Sequence, residues 1–253
     1  MTLIVRRLIT VALLSVWAAL AARPVLAEEV TVAVAANFTE PAKEIAAAFE
    51  KASGDKITLS FGASGQFYTQ IVNGAPFEVF LSADADRPAK AEQAGLTVAG
   101  TRFIYAVGKL VLWSPTAGLV DSGGAVLRTD HFTKLAIADP AAAPYGAAAI
   151  QTMRKLGVYD QIQPRIVQGT SIAQAFQFVK TGNAELGFVA LSQVIDEPGG
   201  SRWLVPEADH DPIVQQAVLL KTAGDSKAAR EFLTFLKGAR ARAIIRRFGY
   251  EAP

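Results

Sequence analysis

From residue 29 to about residue 90 the chain alternates short β-branched apolar runs with stretches of helical pattern. Val30–Val34 precedes the helical pattern Glu40–Lys51, Ile57–Phe61 precedes Phe67–Asn73, and Val79–Leu81 precedes Asp86–Gln93. In the first helical pattern Ile45, Ala48 and Phe49 fall on one side, the spacing of a helix that packs onto a sheet. Repeated strand–helix units build a parallel sheet covered by helices, and such sheets bind ligands beyond the carboxyl ends of their strands. Three loops lie there: Ala36-Asn37-Phe38, Gly62–Gln66 and Ser82-Ala83-Asp84.

A long apolar passage, Phe103–Trp113, is broken by Gly108 and predicts a crossing into a second lobe. The alternation then restarts. Leu135–Ala138 reads as a strand before a helix over Gly146–Leu156, Arg165–Val167 leads through Gly169-Thr170-Ser171 into a helix over Ile172–Thr181, and Leu186–Val189 is a third buried strand. Ile213–Leu220 carries the chain back, and the end is helical: Ser226 caps Lys227–Leu236, and Ala239–Phe248 is stopped by Gly249. The expected organisation is a first lobe over 28–106, a second over 107–212, and a return to the first over 213–253. One larger α/β domain satisfies the same periodicity; two lobes joined by two crossings add a cleft, the usual place for a ligand.

The N-terminus changes the picture of compartment. Arg6 and Arg7 precede an almost wholly apolar stretch, Leu8–Leu20, and Val25-Leu26-Ala27 offers small residues at cleavage spacing. This is the pattern of a secretory signal peptide over residues 1–27, with an apolar core shorter than a membrane span needs. Cleavage near Ala27 starts the mature chain at Glu28 and implies a periplasmic protein. It removes three of the 25 basic residues and none of the 23 acidic ones, so a formal charge of +2 becomes about −1. Nucleic-acid binding, which needs a positive face, loses its support. No cysteine is present, so disulfides and lipid attachment through a cysteine are both excluded.

The stretch SFGASGQF, Ser60–Phe67, poses the central chemical question. A strand turning through Gly and Ser into a helix serves a hydrolase as a nucleophile elbow or a binding protein as an anion cradle. Gly62-Ala63-Ser64-Gly65-Gln66 departs from Gly-x-Ser-x-Gly at its last position, and a base must come from His131 or His210, both in polar turn segments. His210 with Asp209 and Asp211 also makes only a weak metal pattern. An anion cradle needs backbone N–H groups at helix starts, aided by hydroxyl or amide side chains, and no cationic residue. Asn37, Ser64, the Pro144-Tyr145-Gly146 turn and Ser171-Ile172 meet that requirement; each alone reads equally as a cap or as core.

Several segments together carry a resemblance. Ala35-Ala36-Asn37-Phe38, Phe61–Gly65, Val72–Pro76 with Phe80–Asp84, Ala138-Asp139-Pro140 with Ala143–Gly146, and Leu186–Ala190 resemble the periplasmic molybdate-binding proteins of ABC transporters, the ModA family. The run Gly74–Asp84 is the most specific part, and Phe235–Gly238 with Phe248-Gly249-Tyr250 resembles the way that family ends. The resemblance implies a bilobed type II periplasmic binding fold, with two mixed sheets flanked by helices. It implies a monomeric, non-enzymatic component that closes over molybdate or tungstate and delivers it to a membrane permease. Molybdenum enters only inside the oxyanion, without protein–metal bonds and without a cofactor. Asn37 and Ser64 are implied as donors through main chain and side chain, Tyr145 and Ile172 through main-chain N–H groups, with Ala36 and Ala190 at the edge of the site.

The chain departs from the family's pattern at three positions. Position 37 is Asn where many members have Ser, position 36 lacks a hydroxyl that some relatives carry, and position 190 is Ala where others place a tyrosine whose hydroxyl reaches the oxyanion; Tyr145, where those others have a small residue, is the mark of a sub-branch, and its hydroxyl is expected to refill part of that space. The rival readings are a binder of another tetrahedral oxyanion such as sulfate, an amino-acid or organic-acid binder, which commonly clamps its carboxylate with Arg, and a secreted serine hydrolase.

Overall fold

The computed structural model describes residues 27–253. The signal peptide expected from the sequence lies, but for Ala27, outside the described residues. Two five-stranded sheets form two lobes. The first has the order β2 (Lys56–Gly62), β1 (Glu29–Ala35), β3 (Val79–Ser82), β10 (Ile213–Leu219), β4 (Phe103–Gly108). The second has the order β7 (Ile166–Gly169), β6 (Leu135–Ala138), β8 (Leu186–Ala190), β5 (Leu110–Ser114), β9 (Ser201–Leu204). In the first, β1 runs parallel to β2 and β3 while β10 runs antiparallel to β3 and β4. In the second, β6 runs parallel to β7 and β8 while β5 runs antiparallel to β8 and β9. The sheets are therefore mixed, as expected, and each lobe repeats the plan of the other.

Helices follow the parallel strands: α1 (Thr39–Ser53), α2 (Ser64–Val72) and α3 (Asp86–Gln93) in the first lobe, then α4 (Pro144–Lys155), the short α5 (Tyr159–Ile162), α6 (Ile172–Lys180) and the single turn α7 (Leu191–Val194) in the second. The terminal α8 (Lys227–Leu236) and α9 (Ala239–Arg247) return to the first lobe. The apolar periodicity explains what each buries. Val30, Val32 and Val34 on β1 meet Ile45 and Phe49 of α1 and Phe232 of α8, with the Phe49 and Phe232 rings packed edge to face. Leu110, Leu112, Leu135, Ile137 and Phe188 fill the second lobe. Each such side chain contributes about 1.5–3 kcal/mol by leaving water, so each lobe holds its own cluster of turns rigidly.

The first crossing sits a little later than the apolar pattern suggests. Strand β4 stays in the first sheet through Gly108 and β5 begins at Leu110 in the second, so the chain changes lobe at Lys109. Its ammonium group pairs with Glu207, from the returning segment, and Glu251, from the C-terminus. Helix α4 also starts two residues before Gly146, because Pro144 opens it as the first helical residue and is pre-shaped for that position. Strand β9 had no expectation from the sequence.

Candidate functional site

The carboxyl ends of the parallel strands in both sheets face one another across the cleft. The strand ends turn into helices, and five of these turns, after β1, β2, β3, β6 and β7, enclose a small cavity. Its wall includes Ala36, Asn37, Ser64 and Ala83 from the first lobe and Tyr145 and Ile172 from the second, and none of the lining residues is charged. Asn37, Ser64, Tyr145 and Ile172, which lie far apart in the sequence, are thus brought together, each buried to within a few per cent.

The local structure says why these turns present donors. Ser64 and Ile172 are the first residues of α2 and α6, and the preceding Ala63 and Ser171 are extended. First-turn N–H groups of a helix have no acceptor of their own. Among the described residues, the main-chain N–H groups of Asn37, Ser64, Tyr145 and Ile172 find no hydrogen-bond partner. Pro144 has no N–H, which makes Tyr145 the first available donor of α4. Ser171 accepts from the N–H of Gln174 at 3.3 Å and so satisfies the third residue of α6 without occupying the first.

The Ser64 hydroxyl has a fixed direction. Its oxygen accepts from the Ala83 N–H at 2.9 Å, so its own proton remains to be donated into the cavity. Gln66, whose side chain breaks the hydrolase motif, accepts from the Ala63 N–H at 3.4 Å and steadies the turn. The same device recurs: Gln174 accepts from the Thr170 N–H at 2.6 Å, and Gln193 from the Ala190 N–H at 3.0 Å. A Gln three residues into each helix resembles the reciprocal half of a capping box, a signal readable in GASGQ, TSIAQ and ALSQ.

Three expectations change. The Asn37 side chain is not a donor to the cavity: its Nδ2 is committed to Gln215 Oε1 at 2.9 Å and to the Tyr250 hydroxyl at 3.0 Å. The Tyr145 phenol also turns away and accepts from Gln215 Nε2 at 3.3 Å, leaving only its main chain at the cavity. Ala190 is fully buried in the second-lobe core and does not line the cavity, and its N–H is held by Gln193. Ala36, by contrast, does line it. The sequence placed the Ser82-Ala83-Asp84 loop at this end of the sheet but did not show that the Ala83 N–H orients the hydroxyl of Ser64, and sequence reasoning missed the buried group of Tyr105, Gln215 and Tyr250. Burial raises the phenols of Tyr105 and Tyr145 well above the ordinary tyrosine value and raises Tyr250 to about 12. Neither His131 nor His210 lines the cavity, so Ser64 has no imidazole beside it there.

The lips of the cleft touch. The Gly65 N–H donates to Ala142 O at 2.9 Å, and Arg87, held by Asp84, donates to Ala141 O at 2.7 Å. A Cβ on Gly65 would stand 3.0 Å from Ala142 Cα and 2.9 Å from Arg87 Nη2, so this approach depends on the missing side chain. The outward Arg87 guanidinium is engaged at the rim and not in the cavity.

Two lobes of like plan, closed over a cavity walled by helix starts, define a bilobed solute-binding protein. The chain belongs to the bacterial extracellular solute-binding proteins, whose family model matches residues 30–251, and within them to the ModA family. It is 59% identical over 229 residues to the molybdate-binding protein ModA of Rhodobacter capsulatus, covering 90% of each chain. The solved periplasmic molybdate-binding protein of Azotobacter vinelandii superposes with a TM-score of 0.86 at 43% identity, over 88% of this chain and 99% of that one. The substrate-binding domain of a putative molybdenum ABC transporter from Clostridium difficile does so at 0.70 and 28% identity, over 90% and 100%. The family resemblance read from the sequence therefore holds, and with it the type II fold. Membership in this class makes the chain a binding component and not a hydrolase.

Proposed function

We propose that this protein binds molybdate, and tungstate equally in kind, in the interlobe cavity, and that it delivers the anion to a membrane permease as a periplasmic monomer. The observation that carries the reading is the convergence of four unpartnered main-chain N–H groups and the Ser64 hydroxyl on one small, uncharged cavity. Two helix starts from each lobe direct their positive dipole ends at the same point, which favours a dianion stripped of water. Both lobes must be in place for the donor set to be complete, so binding and closure support each other. The relatives' names supply the anion, and no helix among the described residues is long and apolar enough to cross a membrane.

Calorimetric titration of the purified protein with molybdate, in buffer holding a large excess of sulfate, tests this. One-to-one binding undiminished by sulfate is expected. Binding that appears only when sulfate itself is titrated would overturn the choice of anion, and silence with both would overturn the oxyanion site.

A further inference from the structure

Beneath the cavity, on the side of the crossings, a second set of polar groups is fully enclosed. Gln215 is its centre, with no exposed surface. Its Oε1 accepts from Asn37 Nδ2 at 2.9 Å and from the Tyr105 hydroxyl at 3.0 Å, and its Nε2 donates to the Tyr145 hydroxyl at 3.3 Å. The Tyr250 hydroxyl donates to the Asn37 carbonyl at 2.7 Å, and the Ser192 hydroxyl, from the second lobe, donates to the same carbonyl at 2.8 Å. Asn37, Tyr105, Gln215 and Tyr250 belong to the first lobe, and Tyr145 and Ser192 to the second.

Two features of the backbone are shaped to this group. The pairing of β10 with β4 shifts register between Gln215 and Gln216, and a bulge of that kind re-aims a side chain. Gly108, the last residue of β4, supplies the space: a Cβ there would stand 2.1 Å from the Tyr145 hydroxyl and 2.7 Å from Gln215 Nε2. Gly108 does not line the cavity. A buried amide with both ends bonded is costly to disturb, because each group left unpaired keeps its desolvation penalty.

We infer that Gln215 is a positioning residue that makes anion capture and lobe closure one event, by holding Asn37 of one lobe and the Tyr145 phenol of the other on a single amide seated in the notch at Gly108. The inference rests on the proposed oxyanion site, since Asn37 and Tyr145 are two of its main-chain donors. Gln215 touches no ligand itself. It acts by fixing the turn that presents the Asn37 N–H and by rewarding the lobe angle at which Tyr145 presents its own. Rotation of the lobes changes the Gln215–Tyr145 geometry, and hydrogen bonds weaken steeply as they bend. The phenol thus records closure although the anion never meets it.

Stopped-flow and calorimetric binding of molybdate by wild type, Tyr145→Phe, Gly108→Ala and the double variant, with thermal unfolding of each ligand-free protein, test the inference. Tyr145→Phe keeps the main-chain donor and loses one closed-state hydrogen bond; dissociation should quicken about five- to tenfold with association unchanged. Gly108→Ala should weaken binding more, and adding Tyr145→Phe should recover part of that loss, because the hydroxyl is the atom the new methyl meets first. The ligand-free melting temperature should stay near wild type for Tyr145→Phe and fall for Gly108→Ala, whose methyl also meets Gln215 within the first lobe. Unchanged dissociation in Tyr145→Phe, or a double variant weaker than Gly108→Ala alone, would overturn the inference. Failure of wild type to bind would instead overturn the oxyanion reading, so the two failures are distinguishable.

Discussion

The two lobes share a strand order and hold the cleft in different ways. In the first, β1 and β2 end in turns whose side chains are polar, Asn37 and Ser64; in the second, β6 and β7 lead to Tyr145 and Ile172, whose side chains are packed away. Only Ser64 directs a side-chain donor at the cavity, and its direction is set by Ala83. The second lobe offers backbone alone, arranged by Pro144 and by the Ser171 cap. The fold itself therefore supplies most of the site, since a helix start is an anion donor whatever residue stands there, and side-chain chemistry refines one half of it.

This contrast can be broken most severely at the rim. Gly65→Val sets a branched side chain against the Ala142 backbone, and backbone yields less than a flexible side chain; molybdate affinity should fall by a few hundredfold or more, with the ligand-free melting temperature little changed. Retained affinity in calorimetry would mean that closure does not need this contact. Ser64→Ala comes next. Losing one hydrogen bond to a charged oxygen costs about 1.5–3 kcal/mol, a loss of about 10- to 150-fold, and an unchanged dissociation constant would remove Ser64 from the site.

The second lobe should be far more forgiving. Ile172→Val leaves the N–H where it is, so affinity should stay within about twofold while stability drops by about 0.5–1.5 kcal/mol in denaturant unfolding. A large loss of affinity would show that the side chain, and not the backbone, carries the contact. The smallest effect concerns pH. Tyrosines held above their ordinary value stay protonated until pH passes that raised value, and the lining has no charged group, so affinity should be flat from about pH 7 to about pH 9. A slope in that window would require a titrating group in the cavity.

Much of this arrangement was legible in the sequence because its signals are local. Apolar runs followed by Gly, Ala and Ser and then by a helical period mark the turns at Ser64 and Ile172 without any long-range knowledge. Strand β9, Ser201–Leu204, was not legible, since four residues after Gly199-Gly200 with alternating polarity carry little pattern. Nor was the true aim of Asn37, whose amide meets Gln215 and Tyr250, 178 and 213 residues further along. No spacing rule links them; only the return of β10 and the C-terminal segment to the first lobe places them together. The departure of Gln66 from a hydrolase motif, by contrast, has a local meaning, because that side chain holds the turn that presents Ser64.

The most direct test of the account is a crystal structure of the protein grown with molybdate. The account predicts an oxyanion whose oxygens lie about 3 Å from the main-chain nitrogens of Asn37, Ser64, Tyr145 and Ile172 and from Ser64 Oγ, with no cationic side chain in contact and the Tyr145 phenol still on Gln215. An anion found at the cleft mouth against Arg87, or one held by the Tyr145 hydroxyl, would contradict it.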